Sequence, residues 1–167
     1  MLTTGSHQRL GSHIWKLYVL YPRCPNNVLD FYEVIKYVAS NASELGIDPS
    51  KIAIAGESGG GYICAGAMVQ LALQSESSLV KLAIPVIAMM DDYEFGNTES
   101  MTKVEAEAAA SMMKLWKVVG GPEFEAKRKA ADPLLFPAKA NAELLAKMPP
   151  TIIWEAEFDQ FNTMASR

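Results

Sequence analysis

The sequence predicts an α/β fold, a mostly parallel sheet flanked by helices with a helical insert, and three observations predict it. Runs rich in β-branched and apolar residues alternate with segments of helical period along the chain. A glycine-rich turn, residues 56–61, lies between one such run and a helical segment. Of the 167 residues, 50% are hydrophobic and 20% charged, as in a soluble globular domain and unlike a disordered chain. That length accommodates one domain, 1–167, with a sizeable core, and is too short for two.

The elements follow in order. Residues 1–13 are polar and are expected to be flexible; residues 14–21 (IWKLYVLY) form a strand stopped by Pro22. A helix runs over 28–44, capped by Asn27, with Val28, Phe31, Ile35, Val38 and Ala42 on one face and Gly46 just past its end. Asp48-Pro49-Ser50 turns the chain into a short buried strand, 51–55, and a helix follows the glycines over 62–74. The next strand is expected over 80–84, with Pro85 near its end because proline removes a ladder donor. Residues 91–97 read as an acidic loop, 101–119 as an alanine- and methionine-rich helix, and 123–131 as a second, charged one. Residues 91–131 thus form a helical insert between two strands, placed to act as a lid over their C-terminal ends. A helix over 138–147 and a last strand over 151–156 (TIIWEA) complete the pattern.

The bulk chemistry narrows the partners. Net charge is −4 and the charges are scattered, which points away from nucleic acid and anionic membranes and toward a neutral or hydrophobic small molecule. Two cysteines, Cys24 and Cys64, without C-x-x-C spacing predict neither a zinc site nor a disulfide scaffold, and make a reducing, cytoplasmic compartment the default. No cofactor or metal is expected. No apolar run reaches the roughly 18 residues of a transmembrane helix, and the first dozen residues lack the apolar region of a signal peptide.

The chemistry is concentrated in Gly56-Glu57-Ser58-Gly59-Gly60, a G-x-S-x-G match that follows a strand and opens a helix. A serine nucleophile has to project from a sharp, strained turn. Glycines at 56, 59 and 60 are expected to remove clashes there and to allow unusual backbone angles. The helix start aims free N–H groups at the serine, so the Gly59 N–H is the expected oxyanion donor. A chain of this length shows roughly 0.05 such matches by composition alone. The competing reading is a glycine-rich turn with a buried capping serine. A phosphate-binding loop is excluded, because Gly61 is followed by Tyr62 and Ile63 rather than Lys and Ser/Thr, and no register gives G-x-G-x-x-G.

A nucleophilic serine needs a base, and the base an orienting acid. Asp159, just past the last strand, can face the same sheet edge as Ser58; otherwise it is a solvated loop aspartate. Glu157 is the substitute. The chain has two histidines, His7 and His13, both ahead of the serine, whereas the order Ser, Asp/Glu, His puts the base last. Both are expected to be surface residues of a flexible end.

These residues resemble the hormone-sensitive-lipase-like branch of the α/β-hydrolases, the carboxylesterases and arylacetamide-deacetylase relatives, from about Tyr18 to Asp159. The markers are Tyr21-Pro22, the stretch 41–52 (NASELGIDPSKI) leading into Gly-Glu-Ser-Gly-Gly-Gly, then 132–137 (DPLLFP), Met148-Pro149-Pro150 and Glu157-Phe158-Asp159. The resemblance implies Ser58 as nucleophile and Asp159 as triad acid. Two features depart from it: no His-Gly-Gly-Gly oxyanion loop lies upstream, since His13 precedes Ile14, and no histidine follows Asp159. The expected chain is therefore one truncated at both ends, lacking the strand that would sit between 14–21 and 51–55.

Three functions compete. The first is a carboxylic ester hydrolase working through an acyl-serine, with a small-molecule ester as substrate. The second is a hydrolase-like binding protein without turnover, and the third an inactive fragment. The histidine count favours the latter two for the literal chain, while the resemblance favours the first. Met101, Met112, Met113, Leu115 and Trp116 of the insert are candidates for an apolar acyl pocket or for plain core. Oligomeric state is not legible.

Overall fold

The computed structural model describes residues 23–91 and 103–156. The expected flexible end 1–13 and strand 14–21, both histidines, most of the acidic loop, and Glu157 and Asp159 lie outside them.

The sheet is parallel, as expected. Strand β1 (Ala53–Glu57) pairs with β2 (Leu82–Val86) in the register Ala53↔Leu82 to Glu57↔Val86. Both strands sit two residues later than the sequence pattern suggested. Pro85 therefore falls inside β2, where it is fully buried. Its missing N–H has a visible cost on the far side of β2. Residues 151–154 run parallel there but are joined only through two isolated bridges, Ala83↔Thr151 and Val86↔Trp154. The backbone bonds come in two pairs: Ala83 N to Pro150 O and Ile152 N to Ala83 O, then Trp154 N to Pro85 O and Ile87 N to Trp154 O. Between them Pro85 offers no donor, so the expected last strand is a bridged segment instead of a continuous ladder.

Helix α1 (Asn26–Ser40) starts two residues earlier than expected, and Pro25 holds the cap position without a side-chain bond. Asn27 is inside the first turn and buried, its Oδ1 accepting from the Val28 N–H at 2.8 Å. The helix breaks at Asn41, and one further turn closes on Gly46 at φ 67°. There Ile47 N–H reaches Ala42 O and Gly46 N–H reaches Ser43 O, the pair of bonds that a left-handed glycine makes possible. Asp48 then takes the Ser50 N–H and hydroxyl at 2.9 and 2.6 Å, turning the chain toward β1.

Helix α2 (Gly59–Leu73) is apolar on every side and buried, as a central helix must be. Its Gly66 lets α1 approach: a Cβ there would come within 2.6 Å of the Val28 side chain. One core cluster joins Tyr32 and Ile35 of α1, Ile54, Cys64, Met68 and Leu71 to Val80 and Ala83.

The insert supplies α3 (Lys103–Gly120) and α4 (Phe124–Lys129). Trp116 and Val119 of α3 and Phe124 of α4 are buried in a second cluster with Val28, Tyr62, Met89, Leu135 and Phe136. Trp116 stands edge-on to Tyr62 at 5.5 Å and tilted on Phe136 at 5.1 Å. Of the apolar candidates in the insert, Trp116 is thus core, Met113 packs against that core and Leu115 is exposed. The helix expected over 138–147 is a single 3₁₀ turn (Pro137–Lys139) followed by α5 (Ala142–Leu145), which Asn141 caps through the Leu144 N–H. Among the described residues, no helix is long and apolar enough to cross a membrane.

Candidate active site

The nucleophile candidate stands where β1 becomes α2. Glu57 ends β1 and is exposed; Gly59 opens α2; Ser58 alone makes the corner, at φ 54° and ψ −117°. Such angles are costly for a residue with a Cβ and persist only where the surroundings enforce them. Here Ser58 N–H donates to the Val86 carbonyl at 2.9 Å, and Ser58 C=O accepts from Tyr62 N–H at 3.0 Å. The corner is thus tied to the end of β2 on one side and to the first turn of α2 on the other. The side chain of Ser58 makes no capping bond, and the residue is exposed. The alternative of a buried capping serine does not fit that geometry.

The glycines divide differently from the sequence expectation. A Cβ on Gly56 would collide with the Gly60 carbonyl and sit 2.9 Å from Gly61 N. A Cβ on Gly61 would meet Val86 O at 2.8 Å and the Ala88 Cβ at 2.9 Å. Gly59 and Gly60, expected to relieve clashes, have nothing within 4 Å of such a Cβ and have helical backbone. Gly56 and Gly61 therefore permit close approach. Gly59 and Gly60 leave open space beside Ser58, and as first-turn residues they have N–H groups without an intrahelical acceptor.

Behind the corner the packing is polar at its centre. The buried Tyr62 hydroxyl donates to Leu134 O at 3.2 Å and lies among Cys24 and Asn27; burial, with Cys24 second, pushes its phenol well above the usual range. Burial likewise raises the Cys24 thiol, against the opposing hydrogen bond of Tyr62. Lys127 reaches in to donate to Cys24 O at 2.8 Å, tying α4 to the start of α1. Cys64, wholly buried in α2, has its thiol pushed up to about 12 by burial.

The structure brings Gly56, Glu57, Ser58, Gly59 and Gly60 together at the C-terminal edge of the sheet, and it leaves Asp159, Glu157, His7 and His13 outside the described residues. Val86, Gly61 and Tyr62 support the corner and carried no signal as a set in the sequence, because their roles depend on which strand lies beside β1. Among the described residues, no three His, Cys, Asp or Glu side chains are grouped to hold a metal ion.

Comparison with known proteins places the fold. Residues 19–167 match the family described as alpha/beta hydrolase fold. Over 48 residues, 29% of this chain and 15% of the relative, the chain is 50% identical to carboxylesterase NlhH of Mycobacterium tuberculosis. A hyperthermophilic esterase from Pyrobaculum calidifontis superposes with a TM-score of 0.69 at 25% identity, covering 92% of this chain and 49% of that one. A fungal esterase from Rhizomucor miehei has the same fold at a TM-score of 0.66 and 22% identity, covering 86% and 46%. The chain spans 15% of the carboxylesterase and under half of the two esterase structures. With nearly all its length matched, the chain belongs to the α/β-hydrolase fold family, in its hormone-sensitive-lipase-like branch.

Proposed function

We propose that this chain carries the nucleophile-bearing part of a carboxylic ester hydrolase, in which Ser58 attacks the ester carbonyl. The observation that carries the reading is the exposed Ser58 at φ 54° and ψ −117°, fixed between β1 and α2. Ser58 Oγ adds to the carbonyl carbon and its proton passes to a base; the Gly59 N–H holds the developing oxyanion. Collapse expels the alcohol, which takes that proton and leaves an acyl-serine; water then releases the acid and restores the serine. Asp159 is the orienting acid for the imidazole base, and Glu57, Gly56 and Gly60 shape the corner.

A second reading, a hydrolase-like protein that binds without turnover, is favoured by one fact: both histidines, His7 and His13, precede Ser58. Without a base, oxyanion stabilisation and binding leave only about 10³–10⁴ over water.

The test is labelling of the 167-residue chain by a fluorophosphonate, with Ser58→Ala as control and mass spectrometry to locate the adduct. Stoichiometric modification of Ser58 is the expected result. A folded chain that stays unlabelled would overturn the nucleophile reading and leave the binding reading.

A further inference from the structure

The segment 151–154 is fastened to β2 by one edge of its backbone. Pro150 C=O, Ile152 N–H and both backbone groups of Trp154 bond to β2 and to Ile87, and the pairing stops where Ile87 turns out of the sheet at φ 39°. Alternate residues of an extended chain aim their N–H and C=O the other way. Thr151 and Ile153 accordingly make no backbone hydrogen bond among the described residues. The side chains along this edge are uncovered too: Ile152 is 55%, Ile153 45% and Trp154 67% exposed. Successive side chains of a strand point to opposite faces, so three exposed in a row mean that neither face is covered here. An unpaired edge flanked by apolar side chains is a template for another strand.

The residues of the edge select the strand that fits it. Laid antiparallel against a copy of itself about a two-fold axis at Ile153, the segment uses every outward group: Ile153 pairs with Ile153 of the second copy, and Thr151 with Glu155. Ile152 then stands opposite Trp154, a β-branched residue against an aromatic one, which is a favoured cross-strand pair. No like charges meet. A register shifted toward the N-terminus brings in Pro149, which has no N–H to give. A shift the other way sets Glu155 against Ile153 or against itself.

We propose that residues 151–155 form the contact of a two-fold symmetric dimer, in which this edge pairs antiparallel with the same edge of a second copy, Ile153 on the axis. The contact is isologous, so it consumes the edge in both copies and closes at two. It is independent of the chemistry assigned to Ser58.

Sedimentation equilibrium and cysteine cross-linking of the 167-residue chain test it. The parent is expected to rise from monomer toward twofold mass with concentration. Ile153→Pro removes the outward N–H and leaves the bonds to β2 in place, so it is expected to stay monomeric with an unchanged urea midpoint. The register is read by mixing Ile152→Cys with Trp154→Cys. Facing residues of a non-hydrogen-bonded pair have Cα atoms about 4.5 Å apart, within disulfide reach. Ile152 and its own copy lie roughly 8 Å apart in this register, as do the two copies of Trp154, beyond that reach. A disulfide is therefore expected in the mixture and in neither variant alone; Cys24 and Cys64 are buried and do not compete. Cross-linking also decides the matter if the proline variant does not fold. A parent that stays monomeric throughout the micromolar range, or association beyond two copies, overturns the proposal. So does a disulfide in either variant alone, or a dimer whose mixture gives none.

Discussion

The amide of Ser58 donates to the carbonyl of Val86 at 2.9 Å, so the candidate nucleophile is fastened to the neighbouring strand by its own backbone. Its side chain is left with no structural bond to make at the helix start. This hold on the Ser58 backbone depends on the close contact of strand and helix that Gly56 and Gly61 permit.

Gly56→Ala should be among the most damaging single-methyl additions in the chain. The new Cβ meets backbone at Gly60, which cannot swing aside as a side chain would. A loss of about 3 kcal/mol or more in urea unfolding is expected, at the upper end of overpacking costs. Gly60→Ala, with open space around it, should change stability by no more than about 1 kcal/mol. Equal losses for the two would refute the division of the glycines.

Trp116 joins the insert to the core, and Trp116→Ala should cost about 3–5 kcal/mol in thermal or urea unfolding. Trp116→Phe should cost distinctly less, below about 1.5 kcal/mol. The reason is that the indole Nε1 is buried without a hydrogen-bond partner among the described residues, so its removal breaks no hydrogen bond there. A phenylalanine variant as unstable as the alanine one would contradict that.

Stability should fall on the alkaline side through the buried thiols. Cys64 is pushed by burial from an ordinary 9.0 to about 12, so the folded state keeps the proton while the unfolded chain gives it up. The unfolded state then binds fewer protons, and the contribution of this group, complete below pH 9, is lost as pH rises toward 12. The slope approaches about 1.4 kcal/mol per pH unit for one such group. Urea midpoints at pH 8, 9 and 10 for the parent and Cys64→Ala measure the difference; parallel pH profiles would refute it. At pH 8 the native chain should also resist a thiol reagent that modifies both cysteines after denaturation.

Ile152, Ile153 and Trp154 are exposed large apolar residues in one run, Trp154 at 67%. Its bonds to β2 use backbone atoms alone, so Trp154→Lys keeps them. The variant should be less prone to self-association in concentration-dependent light scattering, with stability within about 0.5 kcal/mol of the parent. Unchanged scattering would show that this surface does not drive association.

The sequence carried the layout of the sheet and the place of the corner because both rest on local pattern: apolar runs, a glycine cluster, a serine at fixed spacing. It misplaced what tertiary contact decides. The run Gly59-Gly60-Gly61 has the composition of a turn, yet it is the first turn of α2, since Gly61 packs on Ala88 and Gly56 on Gly60. Asn27 has the chemistry of a cap, yet Pro25 takes that position and Asn27 is buried beside Tyr62. Strand ends drifted by two residues because pairing between strands, not local composition, decides where the ladder starts and stops: it opens at Ala53↔Leu82 and closes at Glu57↔Val86. Ile87 was invisible for a simpler reason: nothing in a sequence marks an isoleucine as left-handed.

Pro85 gives the sheet an asymmetry of compliance. On the β1 side of β2 the ladder is continuous across all five residues, while on the other side two pairs of bonds flank a missing rung. The candidate nucleophile is attached to the stiff seam, and the 151–154 segment to the compliant one. Movement of the 151–154 segment against β2 therefore requires no change at Ser58. It requires only that the joint beside Pro85 yield.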